Sequence, residues 1–269
     1  MDDQSERSAF PEWDPLAPHV LADQRSAYDE MRGRCPVVHS DLLGWSVLRH
    51  ADVLEVVHDH ETYRNLVSRH LSVPNGMDPP DHTSYRRLIE PYFAPGPMAQ
   101  FEPVSDMIAA DLVASAPRGR PIEVMDTLGR EFAVRVQCAF MGWSSDLHHS
   151  LRAWLDEQHR ATLAEDRDAL AASARQFDDV VRQLLAARRD TSGDPDEFRL
   201  DRDPALNLLY GAGIHECPGA PLARLELESF VTALLDGTER LRPVLDPASV
   251  RATYPSGGYQ SAWIVLDPT

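Results

Sequence analysis

The chain has 269 residues, 43% of them hydrophobic, which is enough apolar material for a packed globular core. A formal charge of −17, with every basic residue an arginine, leaves no basic face for a polyanion and excludes a nucleic-acid binder. Cys35, Cys138 and Cys217 are odd in number and far apart, which excludes a disulfide framework and a paired-cysteine zinc site. No run approaches the roughly 18 consecutive apolar residues of a membrane span. The N-terminal MDDQSERSAF is acidic and polar where a signal peptide is basic and then apolar. These features predict a cytoplasmic protein with no membrane anchor, folded as one domain over residues 1–269.

Pro18 to Arg32 reads as an amphipathic helix, and Pro36 to Arg49 (PVVHSDLLGWSVLR) as a hairpin turning at Leu43-Gly44. Helices are expected at Ala51 to His60, at Asp81 to Phe93 after the stop signal DPP, and at Pro95 to Ala116 before Pro117-Arg118-Gly119. Glu123 to Met141 has helical spacing closed by Gly142. The alanine-rich, charge-laced stretch from Ser144 to Arg189 predicts two helices broken near Asp166. DTSGDPDEFRLDRDPALNL has the texture of a loop, and Leu222 to Asp236 is strongly periodic. Tyr254 to Leu266 is strand-like around a Ser256-Gly257-Gly258 turn. The fold class is mainly α with small β-sheet elements.

Between the loop and the last helix lies YGAGIHECPGAPLAR. A cysteine that ligates a metal needs donors aimed at its sulfur and a backbone that a flat cofactor can approach closely. Gly211, Gly213 and Gly219 remove side chains around Cys217 and permit positive φ, and the residues from Pro218 to Pro221 open a helix whose free N–H groups favour an anion. His215 stands two residues before the sulfur. Upstream, in DPPDHTSYRR, His82 and Arg86 are four apart, so on a helix they share a face and address one anionic group together.

The cysteine run resembles the signature loop of the cytochromes P450, aromatic-Gly-x-Gly-x-His-x-Cys-x-Gly-x-x-Leu-Ala-Arg, with Tyr210 in place of the usual Phe. DPPDHTSYRR, ending in Phe93-Ala94-Pro95, resembles the bacterial P450 helix whose His and Arg hold the haem propionates. Cys35-Pro36-Val37, WSVLRHADV, the Tyr63 region and PDEFRLDRDP also resemble that family, in the same order. The resemblance implies a P450-like fold, haem b as cofactor and Cys217 as the thiolate ligand of its iron. It also implies that His82, Arg86 and His215 anchor the propionates, that Gly211, Gly213 and Gly219 shape the loop, and that Cys35 and Cys138 are structural.

Against that pattern a block is missing. Ala186-Ala187-Arg188-Arg189 runs almost directly into PDEFRLDRDP, where the family places a long distal helix with an acid-Thr pair and a later helix with Glu-x-x-Arg. Asp190-Thr191, Glu157 to Arg160 and Glu239 to Arg242 imitate these patterns at the wrong places. The expectation is a truncated P450-like fold whose uncovered apolar faces favour self-association as a homodimer. His159 is the candidate distal side chain, provided its helices fold over the haem. His148-His149 and His58-x-His60 lack further ligands at zinc spacing and read as solvated.

Two functions follow. One is a haem-thiolate enzyme acting on a small organic substrate in bacterial specialised metabolism, by peroxide-type or non-oxidative haem chemistry, with no redox partner assigned. The other is a non-catalytic P450-derived protein that carries haem, senses a ligand or helps a partner enzyme.

Overall fold

The structure, a computed structural model, describes residues 13–65, 73–163, 166–188, 213–252 and 257–267. By their contacts they fall into two compact units, Met1–Pro91 with Asp201–Ala220, and Tyr92–Leu200 with Pro221–Thr269.

The first unit opens with α1 (Pro18–Ala22) and α2 (Gln24–Arg34), followed by the hairpin β1 (Val37–Ser40) and β2 (Gly44–Val47), then α3 (His50–His58) and α4 (Asp81–Ile89). The single helix expected from Pro18 to Arg32 is therefore two. Asp23 divides them, because its carboxylate accepts a hydrogen bond from the Ser26 amide and so starts a new helix as its N-cap. Hairpin pairing sets Val38 opposite Ser46 and turns into Gly44, whose φ of +68° suits glycine. The core of this unit is Trp13, Val20, Met31 and Val38, with the Trp13 ring against Tyr28 at 4.9 Å and the Trp13 amide bonded to the His39 carbonyl.

The second unit begins in a 3-10 turn (Glu90–Phe93) and continues with α5 (Pro95–Ser115), β3 (Pro121–Glu123) and α6 (Glu131–Phe140). The expected helix from Glu123 to Met141 differs in its first turns. Glu123 is the last residue of β3, and Met125–Arg130 form a π-helical turn. The Glu123 carboxylate explains the switch: it accepts from the Met125 amide and, across the sheet, from the Ala262 amide at 2.7 Å. Next come α7 (His148–Leu163) and α8 (Arg167–Arg188). They part where expected, since Asp166 Oδ1 accepts from the amides of Asp168 and Ala169 and caps α8. The two helices are tied by Trp154, whose ring stacks on Phe177 at 4.4 Å while its Nε1–H donates to the Ser173 carbonyl.

After a 3-10 turn (Gly213–His215), which belongs to the first unit, α9 (Ala220–Asp236) leads to β4 (Arg240–Pro243), β5 (Val250–Arg251), β6 (Tyr259–Ser261) and β7 (Trp263–Asp267). A three-stranded antiparallel sheet has the order β3-β7-β4, and β5 pairs with β6. The main core of the second unit joins α5, α6, α9 and β7 through Leu112, Leu128, Val136, Leu222 and Leu266. The described residues are mainly helical with small sheets, as the sequence predicts, and no helix among them is long and apolar enough to cross a membrane.

Two side chains of this unit make its energetics testable. Leu266 is fully buried, so Leu266→Ala removes apolar contact and leaves a cavity, and urea unfolding should show a loss of about 2–5 kcal/mol. Glu226 on α9 accepts a hydrogen bond from Gln137 on α6, yet burial outweighs that bond and pushes its carboxyl up to about 7. The folded state thus holds this proton more tightly than the unfolded one. The contribution is fullest below the ordinary value of 4.5 and is lost as pH rises through about 7. Glu226→Gln should match the parent at pH about 4 and exceed it at pH about 8, by about 1–2 kcal/mol once water around the half-buried carboxyl is allowed for.

Candidate functional site

The site sits in the first unit, where α3, α4 and the cysteine loop meet. Gly213 opens the loop's 3-10 turn with φ +67°, and a Cβ there would run into the Val57 carbonyl oxygen near the end of α3. Only glycine permits both the positive φ and that approach. The turn then runs through His215 and Glu216 to Cys217, whose carbonyl accepts from the Ala220 amide as α9 begins. Cys217 is a free thiol and exposed, and Gly219 lies in the turn just beyond it. Gly211 lies outside the described residues.

From α4 two side chains reach this loop. Arg86 pairs with Glu90 at 2.9 Å and donates through Nη1 to the Glu216 carbonyl, so the guanidinium holds the main chain one residue before the cysteine. His82, one turn earlier, is 3% exposed, and its ring meets that of His215 at 4.4 Å in an edge-to-face contact. Helical spacing put His82 and Arg86 on one face. The fold adds that the face is turned to the loop carrying His215 and Cys217.

Both imidazoles carry a buried Nε2 with no hydrogen-bond partner among the described residues. A buried polar atom left unpaired costs about 1–3 kcal/mol, and two of them side by side mark a place built for a polar group that completes them. Burial and the facing His215 and Arg86 hold His82 below the usual histidine range, and burial with the charge of Arg86 does the same to His215. Two neutral imidazoles and a guanidinium form a donor set suited to carboxylates, a few residues from an exposed thiol. This arrangement fits a haem: donors on α4 and on the loop that could meet its carboxylates, and on the same loop a thiol of the kind that ligates its iron.

Cys138 is buried beside Val134 and Leu151 and has its thiol pushed up by burial, which suits a packing role. Cys35 is part-buried and its Sγ bonds the Val37 carbonyl at 2.9 Å. His159 is exposed on α7, in the second unit. Sequence reasoning missed Glu216, which acts through its carbonyl and leaves no side-chain signal, and Val57, whose role is likewise in the backbone. Replacing Gly213 with alanine should be costly at this contact, by about 3 kcal/mol or more from the positive φ and the clash together. Proteolysis should show the Cys217 loop of that variant cut faster than the parent's.

No protein-family model matches the chain. Among curated proteins it is 27% identical over 225 residues to the erythromycin C-12 hydroxylase of Saccharopolyspora erythraea, covering 80% of this chain and 54% of that one. It is 23% identical over 223 residues to cytochrome P450(BM-1) of Priestia megaterium, covering 70% of this chain and 54% of the relative. The chain thus spans about half the length of these relatives. Among solved structures, the polyketide synthase cytochrome P450 PksS of Bacillus subtilis superimposes with a TM-score of 0.78 at 15% identity, covering 95% of this chain and 100% of that one. CalO2 gives 0.77 at 20% identity, with 96% and 99% covered.

Proposed function

We propose that this chain, a relative of the bacterial cytochromes P450 that has their fold, binds haem b through Cys217 and works as a haem-thiolate enzyme on a small organic molecule in the bacterial cytoplasm. The observation that carries the reading is the pair of buried Nε2 atoms of His82 and His215, without a partner among the described residues, beside Arg86 on α4 and the cysteine loop. When bound, haem supplies a thiolate-ligated iron for oxidative or Lewis-acid chemistry.

The chain's own residues have separate tasks. His82 and His215 each offer an N–H to a carboxylate of the cofactor, and Arg86 adds charge while it ties α4 to the loop through Glu216. Gly213 keeps the loop against α3, which fixes where Cys217 is presented. Opposite this half, the sequence lacks the acid-Thr pair and the Glu-x-x-Arg helix of the family pattern. The reading therefore favours peroxide-driven or non-oxidative conversion over reductase-fed monooxygenation, and a substrate of the kind made in specialised metabolism. His159 remains the proposed distal side chain.

A non-catalytic role as a helper or self-associating protein is favoured by one observation. Leu227, Val231 and Leu235 lie along one side of α9, 57%, 49% and 63% exposed, an apolar stripe of the kind that seeks a partner. Haem titration tests the cofactor assignment that the enzyme reading requires. The full chain should take up one haem and give, when reduced under carbon monoxide, the absorption band of a thiolate-ligated iron. Cys217→Ser should lose that band, and His82→Ala should weaken uptake at least about tenfold, the cost of one charge-assisted hydrogen bond. A folded parent chain that takes up no haem would overturn the enzyme reading.

A further inference from the structure

An acid with no task in the haem reading stands beside the donor set. Glu90 lies in the first unit as the C-cap of α4. There its charge meets the carbonyl end of the helix, and an arginine followed four residues later by a glutamate is the weaker order for such a pair. The stability of α4 therefore gives no reason for an acid at this position. Its spacing gives another. His82, Arg86 and Glu90 follow one another at intervals of four, so they form a row along the face of α4 that meets the cysteine loop.

The hydrogen bonds of the guanidinium show what this row does. Glu90 Oε1 accepts from Arg86 Nε at 2.9 Å, and the Glu216 carbonyl accepts from Nη1. The two nitrogens belong to different edges of a rigid planar group, so the two acceptors together fix its plane as well as its place. Nη2 is left uncommitted among the described residues. An arginine has many rotamers to give up before it can grip a carbonyl 130 residues away. An acceptor one turn along its own helix removes that freedom in advance. Arg86 is 12% exposed and Glu90 46%, so the acid reaches in from the rim to a group already under cover. The charge of Glu90 also reaches the His82 ring, where it works toward the protonated form against burial, His215 and Arg86.

We infer that Glu90 is a positioning residue for the cysteine loop: by holding Arg86 Nε it aims Nη1 at the Glu216 carbonyl, and so presets the loop that carries His215 and Cys217 before a cofactor arrives. The consequence for haem rests on the function proposed above, whereas the hold on the loop does not. Hydrogen exchange followed by mass spectrometry on the full chain without haem tests the hold, and haem titration of the same variants tests the consequence. Glu90→Met keeps the length of the side chain and loses the acceptor, Glu90→Gln keeps an acceptor oxygen, and Glu90→Ala replaces the methionine variant if that one alters the circular dichroism. In Glu90→Met the amides from Gly213 to Ala220 should exchange at least about fivefold faster than in the parent, the loss of one hydrogen bond's worth of local protection. Those of β4 and β7 should keep the parent's rate, and Glu90→Gln should restore the loop to within about twofold of the parent. Haem affinity should fall about threefold or more in Glu90→Met, because the loop must then be ordered on binding. Loop exchange at the parent's rate in Glu90→Met, equal acceleration in Glu90→Gln, acceleration that extends to β4 and β7, or undiminished haem affinity in a loosened variant would each overturn the inference. If the parent takes up no haem, the exchange result alone decides it, and only the reading of Cys217 as a ligand falls.

Discussion

The close approach of Gly213 to the Val57 carbonyl is the constraint on which the candidate site rests. Main chain touches main chain there, so the end of α3 and the cysteine loop have one allowed separation, set by the absence of a Cβ. Arg86 then takes the carbonyl of Glu216 three residues on, which adds α4 to the same frame. Once those two contacts are made, the rings of His82 and His215 have little choice but to meet, and Cys217 follows directly. The loop is held by backbone contacts, which leaves the thiol and the imidazoles available for a ligand.

Much of this site was legible in the sequence because its parts are short-range. The spacing of His82 and Arg86 is a helix property, and the glycines around Cys217 advertise a loop that must bend sharply. The break near Asp166 was legible for the same reason, since a capping carboxylate acts within three residues. What escaped was long-range or carried by the main chain. The grip of Arg86 on Glu216 joins residues 130 positions apart through a carbonyl that every residue type possesses. The π-helical turn at Met125 depends on Glu123 reaching its own following amide and that of Ala262 across the sheet, which periodicity does not encode. Asp23 was read as part of a helix it in fact divides, because aspartate is compatible with either place until its side chain is seen to cap.

The electrostatics of the two units differ in a way the formal charge of −17 conceals. In the first unit, His82, Arg86 and His215 collect donors around buried nitrogen atoms that have no partner among the described residues, an arrangement that suits negative charge. In the second, arginines are matched by acids, Arg130 by Asp156 and Arg152 by Glu131. A haem with its carboxylates suits the former. Most other acids among the described residues are exposed, where they act on solubility more than on fold.

Iron K-edge X-ray absorption on the chain loaded with haem tests the central claim most directly, because it counts sulfur atoms at the metal without relying on activity. The account predicts one sulfur in the first coordination shell of the parent and none in Cys217→Ser. A parent chain whose iron has only nitrogen or oxygen neighbours, or a sulfur that persists in Cys217→Ser, would contradict it.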